Sequence, residues 1–213
     1  ETGVRLKVIT RGQLERVNVD TTVQEKYVRF PTDARLYDRM RERLVKQAEK
    51  ESLVLRQTYK RVGKRLLFQQ SRYASAKQFK RAAACTRKLK TLLGRTIRDI
   101  ERKCTDPSPT LTDLLGLAKR LEVQQREDKN KLYSVHAPEV ECIAKGKAHK
   151  RYEFGCKVSV SATSKGGWLV AAKAQPGNPY DGHTLNATIE QTERLTGRTP
   201  HHAYTDGSYK GHD

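Results

Sequence analysis

The sequence predicts an α/β protein: a β-β-β-α-β core that carries a large basic α-helical insertion between its first and second strands. Three observations predict it. Apolar and polar residues alternate in twos at both ends of the chain, as in strands. Residues 31–132 follow the 3.6-residue helical period instead. The positive charge is also concentrated in that middle stretch. Of 213 residues, 43 are Lys or Arg and 24 are Asp or Glu, a net charge of +19. Residues 56–103 alone hold 16 basic and two acidic side chains (Asp99 and Glu101), a net +14. A helix that is merely solvated interleaves Glu with Lys at i,i+4 spacing. The one-signed excess here suits a polyanion, nucleic acid first among them, because displaced phosphate counterions drive such binding.

The elements follow in order. Val17 and Val19 alternate with polar neighbours in a strand over residues 16–20. Pro31-Thr32-Asp33 opens a helix, with Thr32 or Asp33 as its cap, and Leu36, Met40, Leu44 and Val45 share one face as far as Glu51. Residues 66–104 read as helix again, through Leu67, Phe68, Tyr73, Phe79, Leu89, Leu92, Leu93, Ile97 and Ile100. Two prolines in residues 105–109 end it, since proline lacks the donor a helix needs. A further helix spans residues 110–131. Residues 154–160 alternate as a second strand, residues 164–167 form a glycine turn, and residues 168–173 return as a third strand, with Trp168 in the hairpin core. The loop at residues 177–182 leads into a helix capped by Asp181 and closed by Gly197. Residues 202–206 form the last strand. The organisation is therefore residues 1–30, the first strand region; 31–132, the basic helical insertion; and 133–213, the remaining β-β-α-β part.

Other classes are disfavoured. Cys85, Cys104, Cys142 and Cys156 contain no C-x-x-C pair, and the six histidines show no H-E-x-x-H spacing, which argues against a disulfide framework or a zinc site. No apolar run reaches the roughly 20 residues of a membrane span. A reducing cytosol is the expected compartment, with no membrane partner.

Without the insertion, the element order is that of an incomplete ribonuclease-H-like fold. In that fold the first three strands are antiparallel and the fourth lies parallel beside the first. Ligands in open α/β sheets sit at the carboxyl ends of strands, and here the two neighbouring strands end in Asp20 and Asp206. Two carboxylates brought together repel unless a cation lies between them. Mg²⁺ (or Mn²⁺) suits hard oxygen donors, and two such ions about 3.5–4 Å apart support in-line phosphoryl displacement. Taken singly, Asp20 could simply cap a turn before Thr21-Thr22, and Asp206 could start one with Gly207.

Several segments carry a wider resemblance. Val17-Asn18-Val19-Asp20-Thr21-Thr22-Val23-Gln24-Glu25-Lys26, Phe30-Pro31-Thr32-Asp33-Ala34-Arg35-Leu36-Tyr37, Tyr133-Ser134-Val135-His136-Ala137-Pro138-Glu139 with the residues after it to Lys150, Tyr152-Glu153-Phe154-Gly155 and Gly177-Asn178-Pro179-Tyr180-Asp181-Gly182-His183-Thr184-Leu185 resemble bacterial insertion-sequence transposases of the DDE class. The resemblance implies that Asp20 and Asp206 are the first and second catalytic, metal-binding carboxylates. It also implies Mg²⁺-dependent cleavage and strand transfer of double-stranded DNA (element ends and target), allows a homo-oligomer, and suits a bacterial, nucleoid-associated cytoplasmic protein. Two departures stand out. Asp206-Gly207-Ser208-Tyr209-Lys210-Gly211 puts Ser208 where the family's D-R-G-Y-R-G has glycine, which is expected to perturb the turn. The family's third carboxylate, a glutamate on a later helix, has no counterpart before Asp213, so the chain reads as a catalytically incomplete fragment.

Within the basic block, Arg72, Lys77, Lys80, Arg81, Arg87, Lys88 and Lys90 are the expected DNA-phosphate contacts. Lys145, Lys147, His149, Lys150 and Arg151 form a second cluster that either meets DNA or is a solvated loop. Tyr209 is read as a packing or phosphate-contacting residue and not a nucleophile. Two other classes remain open, a non-catalytic nucleic-acid-binding protein and a ribonuclease-H-like nuclease.

Overall fold

A computed structural model describes residues 8–144 and 151–210. They divide into two compact units, one within Glu1–Tyr27 and Val140–Asp213, the other Val28–Glu139.

The first unit is a five-stranded sheet with one helix. After a 3₁₀ turn at Arg11–Glu15, its strands are β1 (Arg16–Glu25), β2 (Glu141–Ala144), β3 (Tyr152–Thr163), β4 (Leu169–Gln175) and β5 (His202–Tyr204). β3 is central. β1 pairs antiparallel along one of its edges from Val17↔Thr163 to Glu25↔Gly155. β2 and β4 lie end to end along the other edge, both antiparallel. β5 then pairs with the far side of β1 in parallel, Asn18 opposite Tyr204. Leaving β2 aside, the order β4-β3-β1-β5 has the strand directions expected from the sequence. β2 was not expected, and β1 runs five residues beyond Asp20. Gly155 makes the β1–β3 crossing possible, because a Cβ there would collide with the backbone carbonyl of Gln24.

The faces of β3 are chemically inverted relative to those of β1. β1 buries Val17, Val19, Thr21 and Val23. On β3, however, the buried positions are Glu153, Lys157, Ser159, Ser161 and Thr163, while Val158 and Val160 stay half-exposed. The reason lies in the helix after the loop, Leu185–Thr196, which packs on β3 and β4. It presents Thr188 and Thr192, and each hydroxyl donates to the carbonyl four residues earlier, at 2.7 and 2.8 Å. A polar face can be buried when its hydroxyls are satisfied within their own helix. Gly197 ends this helix in the left-handed region, φ +69°. Trp168 is not in the hairpin core: it is 44% exposed and lies beside Gly166, because the strand begins only at Leu169.

The second unit is helical: α1 (Asp33–Lys50), α2 (Lys60–Ser75), α3 (Phe79–Lys103) and α4 (Pro109–Val123). The helix just described in the sheet unit is α5. Thr32 caps α1 by accepting from the Arg35 amide, and Ser108 caps α4 through Leu111. The expected helix over residues 66–104 is two helices. It breaks at Lys77, whose φ of +56° a continuous helix cannot contain, and α2 begins earlier, at Lys60. α4 stops at Val123, well short of residue 131. Met40, Leu44, Leu89, Leu93, Ile97, Ile100, Leu111 and Leu121 form one core. Beside it, Arg41 and Asp38 make a buried ion pair (1% and 5% exposed) at 2.8 and 3.1 Å, and Arg41 also donates to the Thr58 carbonyl at 2.8 Å. Gly63 lets α2 approach this pair, since a Cβ there would strike Asp38.

Asp38→Ala should cost about 3 kcal/mol in denaturant unfolding, because it leaves the buried Arg41 charge with only the longer contact to Glu42 at 3.9 Å. Replacing both residues with apolar side chains should cost less than the single change.

Candidate active site

The parallel register fixes the starting geometry. Asn18 stands opposite Tyr204; Asp20 follows two residues later within β1, and Asp206 two residues past the end of β5. Asp206 is still extended (φ −78°, ψ 177°) and caps the 3₁₀ turn Gly207–Tyr209 by accepting from the Ser208 amide at 2.9 Å. Asp20 Oδ1 accepts from the Thr21 amide at 2.7 Å.

A third carboxylate joins the two. Asp181 does not cap α5 through its side chain. Its Oδ1 accepts from the Thr21 hydroxyl at 2.9 Å and pairs with Lys157 Nζ at 2.5 Å, while Oδ2 accepts from the Ser208 hydroxyl at 3.1 Å. The same Ser208 hydroxyl contacts Asp206 Oδ1, so its one proton is shared between the two carboxylates. A chain of contacts therefore runs from the residue after Asp20, through Asp181, to Asp206. Lys157, 7% exposed, also donates to the Pro179 carbonyl at 2.6 Å, which anchors the loop that carries Asp181. Burial pushes the Asp181 carboxyl up, but the Lys157 ammonium and the Thr21 and Ser208 donors outweigh it and hold it below the usual carboxylate value.

Tyr209 senses all three carboxylates. Its hydroxyl oxygen is buried without a well-formed hydrogen bond, with Thr184 beside it. Burial first, then the charges of Asp181, Asp20 and Asp206, push its pKa up to about 12. A phenol held that high stays protonated at neutral pH, so it can donate a hydrogen bond but is a poor nucleophile. Ser208 does not adopt the strained backbone expected of it, since its φ is not among the positive ones. Its hydroxyl is the bridge.

Asp181, Lys157, Thr21 and Ser208 were not singled out as site residues from the sequence. The alternation of residues 154–160 suggests Val158 and Val160 as the inward positions, which turns Lys157 outward and hides it. The signal that was present is the loop Gly177-Asn178-Pro179-Tyr180-Asp181-Gly182. There Gly182 is required, because a Cβ would press on the Tyr180 ring at 2.8 Å and the Tyr209 carbonyl at 2.9 Å.

The expected phosphate contacts lie in the helical unit. Arg72 is on α2, Lys77 in the break, and Lys80, Arg81, Arg87, Lys88 and Lys90 on α3. All but the half-buried Lys90 are exposed, and none pairs with a carboxylate among the described residues. Arg72 and Arg81 stack over Phe68 and Tyr73 at 5.7 and 5.8 Å. Lys145, Lys147, His149 and Lys150 lie outside the described residues, and Arg151 stacks over Tyr152 at 5.4 Å. Among the described residues, no group of three or more His, Cys, Asp or Glu side chains is placed to hold a metal ion, and no helix is long and apolar enough to cross a membrane.

No family model matches the chain, and no solved structure matches it. A stretch of 66 residues is 53% identical to a Rhizobium meliloti protein described as "Uncharacterized protein ORF8 in nfe locus". That stretch covers 31% of this chain and 32% of the relative.

Asp181→Asn should destabilise the protein by on the order of 3 kcal/mol, because it strips the counter-charge from buried Lys157. The pH dependence should change with it. A depressed carboxylate contributes stability above its unfolded pKa of about 4, and that contribution is lost as pH falls through the lower folded value. In acid titrations followed by circular dichroism, the Asn variant should lack that part of the acid transition.

Proposed function

We propose that the sheet unit is the catalytic part of a Mg²⁺-dependent DNA transposase with a ribonuclease-H-like core, and that the helical unit grips DNA phosphates. One observation carries this reading. Asp20 lies within β1 and Asp206 two residues past the end of β5, the strand paired in parallel beside it, and Thr21, Asp181 and Ser208 link the two segments by hydrogen bonds. The β4-β3-β1-β5 order and the segments shared with DDE transposases support it.

The donor set fits a hard divalent cation. Asp20 and Asp206 each keep one carboxylate oxygen outside the hydrogen bonds described above, whereas Asp181 is neutralised by Lys157. Asp20 and Asp206 would hold Mg²⁺ or Mn²⁺, which in such sites polarises the phosphoryl oxygen and lowers the pKa of the attacking hydroxyl. The protein's own residues do the rest. Asp181 and Ser208 link the Asp206 turn to Thr21 of β1. The basic helical residues neutralise DNA backbone charge without reading sequence. Two acidic ligands make an open clamp, so weak or absent turnover is expected of these 213 residues alone.

Mn²⁺ titration by electron paramagnetic resonance tests the carboxylate pair. Asp20→Asn and Asp206→Asn should each weaken binding at least about tenfold, the effect of losing one charged ligand, with unchanged circular dichroism. Equal affinity in all three proteins would defeat the reading. Joined products from element-end DNA would support transposition, and cut strands alone would support the nuclease.

A further inference from the structure

A cleft in the helical unit extends the row of basic residues proposed above for DNA contact, and the inference rests on that reading of the unit. Arg56, Tyr59, Arg95, Arg98, Asp99 and Arg102 line a cleft of about 510 Å³ between the segment after α1 and the outer face of α3. Four guanidinium groups converge there with a single carboxylate. That carboxylate is already committed: Asp99, 12% exposed, accepts from the Arg56 amide at 2.7 Å and from Lys103 Nζ at 3.3 Å, and pairs with Arg102 at 3.5 Å. Asp99 thus pins the arginine-bearing segment onto α3. Arg98 faces Glu122 at 3.6 Å across exposed surface, a weak pair. Arg56 and Arg95 have no carboxylate partner among the described residues.

Unmatched guanidinium groups in a concave, preformed site call for an anion. Their planar forks fit phosphate oxygens in particular. The shape of the surroundings selects the kind of phosphate. Lys80, Arg87, Arg95, Arg98 and Arg102 fall within one sector of α3, at 100° per residue, so the cleft is the end of a straight basic stripe. From Lys80 to Arg102 the helix rises about 33 Å, comparable to about ten phosphates along one DNA strand. A small anion needs the cleft but not the stripe, whereas a polymer of phosphates uses both.

We propose that this cleft is a clamp for the phosphodiester backbone of duplex DNA, in which Arg56 and Arg95 supply the free forks and Asp99 holds the cleft in shape. It requires neither a metal nor the carboxylates of the sheet unit. The test is fluorescence anisotropy of the full chain on a labelled duplex in EDTA across a salt series. Arg56→Ala/Arg95→Ala should weaken binding and flatten the plot of log K against log salt by about 1.8, or 0.9 per lost contact. Arg126→Ala/Lys129→Ala, an equal charge change in the loop after α4, should leave the slope unchanged. Arg56→Lys/Arg95→Lys, which keeps the charge and is the milder change should the Ala pair fail to fold, should keep the slope and lose affinity. An Ala pair no different from the Arg126/Lys129 control would overturn the proposal. So would tripolyphosphate binding to wild type but not the Ala pair, with duplex binding unaffected in both, since the cleft would then serve a small polyphosphate. Asp20→Asn, with full binding expected, keeps this outcome separate from that of the metal-site reading.

Discussion

The Asp181 carboxylate, clamped between Lys157 and two hydroxyl groups, is the constraint on which the sheet unit depends. β5 is only three residues long, and its parallel pairing with β1 covers three positions. So short an edge does not by itself hold the turn beyond it. The relay through Thr21 and Ser208 does, since it fastens the middle of β1 and the Asp206 turn to the Asp181 carboxylate. Lys157 supplies the charge that lets Asp181 stay ionised inside the protein, and its bond to Pro179 fixes the loop.

The helical unit solves a different electrostatic problem. Sixteen basic residues within residues 56–103 repel each other in the folded state. The helices separate the two demands by face: Cys85, Leu89, Leu92, Leu93, Ile97 and Ile100 of α3 are buried while its basic residues stand outward. Two of the acids near this surface serve internally. Asp38 neutralises the buried Arg41, and Asp99 ties the segment after α1 to α3, so neither cancels the outward field. Alternating signs, the usual pattern of a merely solvated helix, are absent from this surface.

Helix existence in the middle of the chain was legible because the period of Leu36, Met40 and Leu44, or of Leu89, Leu93 and Ile97, is set by local geometry. The break at Lys77 was not, since no Pro or Gly marks it. The residue adopts a left-handed conformation that lysine disfavours, held there by the packing of α2 against α3. The parallel fourth strand beside the first followed from element order, whereas β2 is too short to show a period and exists only through its pairing with β3.

Of the candidate site, Asp20 and Asp206 could be named from the sequence because each sits at the end of an alternating run, where α/β sheets place their chemistry. Composition alone located the basic block of residues 56–103. Asp181, Lys157 and Ser208 belong to segments far apart in the chain, and nothing local distinguishes a loop aspartate that caps a helix from one that accepts a buried lysine. Only the pairing of β1 with β3, and the burial of the polar side of β3 beneath α5, brings them within hydrogen-bonding distance. Periodicity specifies which backbone form a segment takes. Which face is covered, and by what, depends on long-range packing that periodicity does not contain.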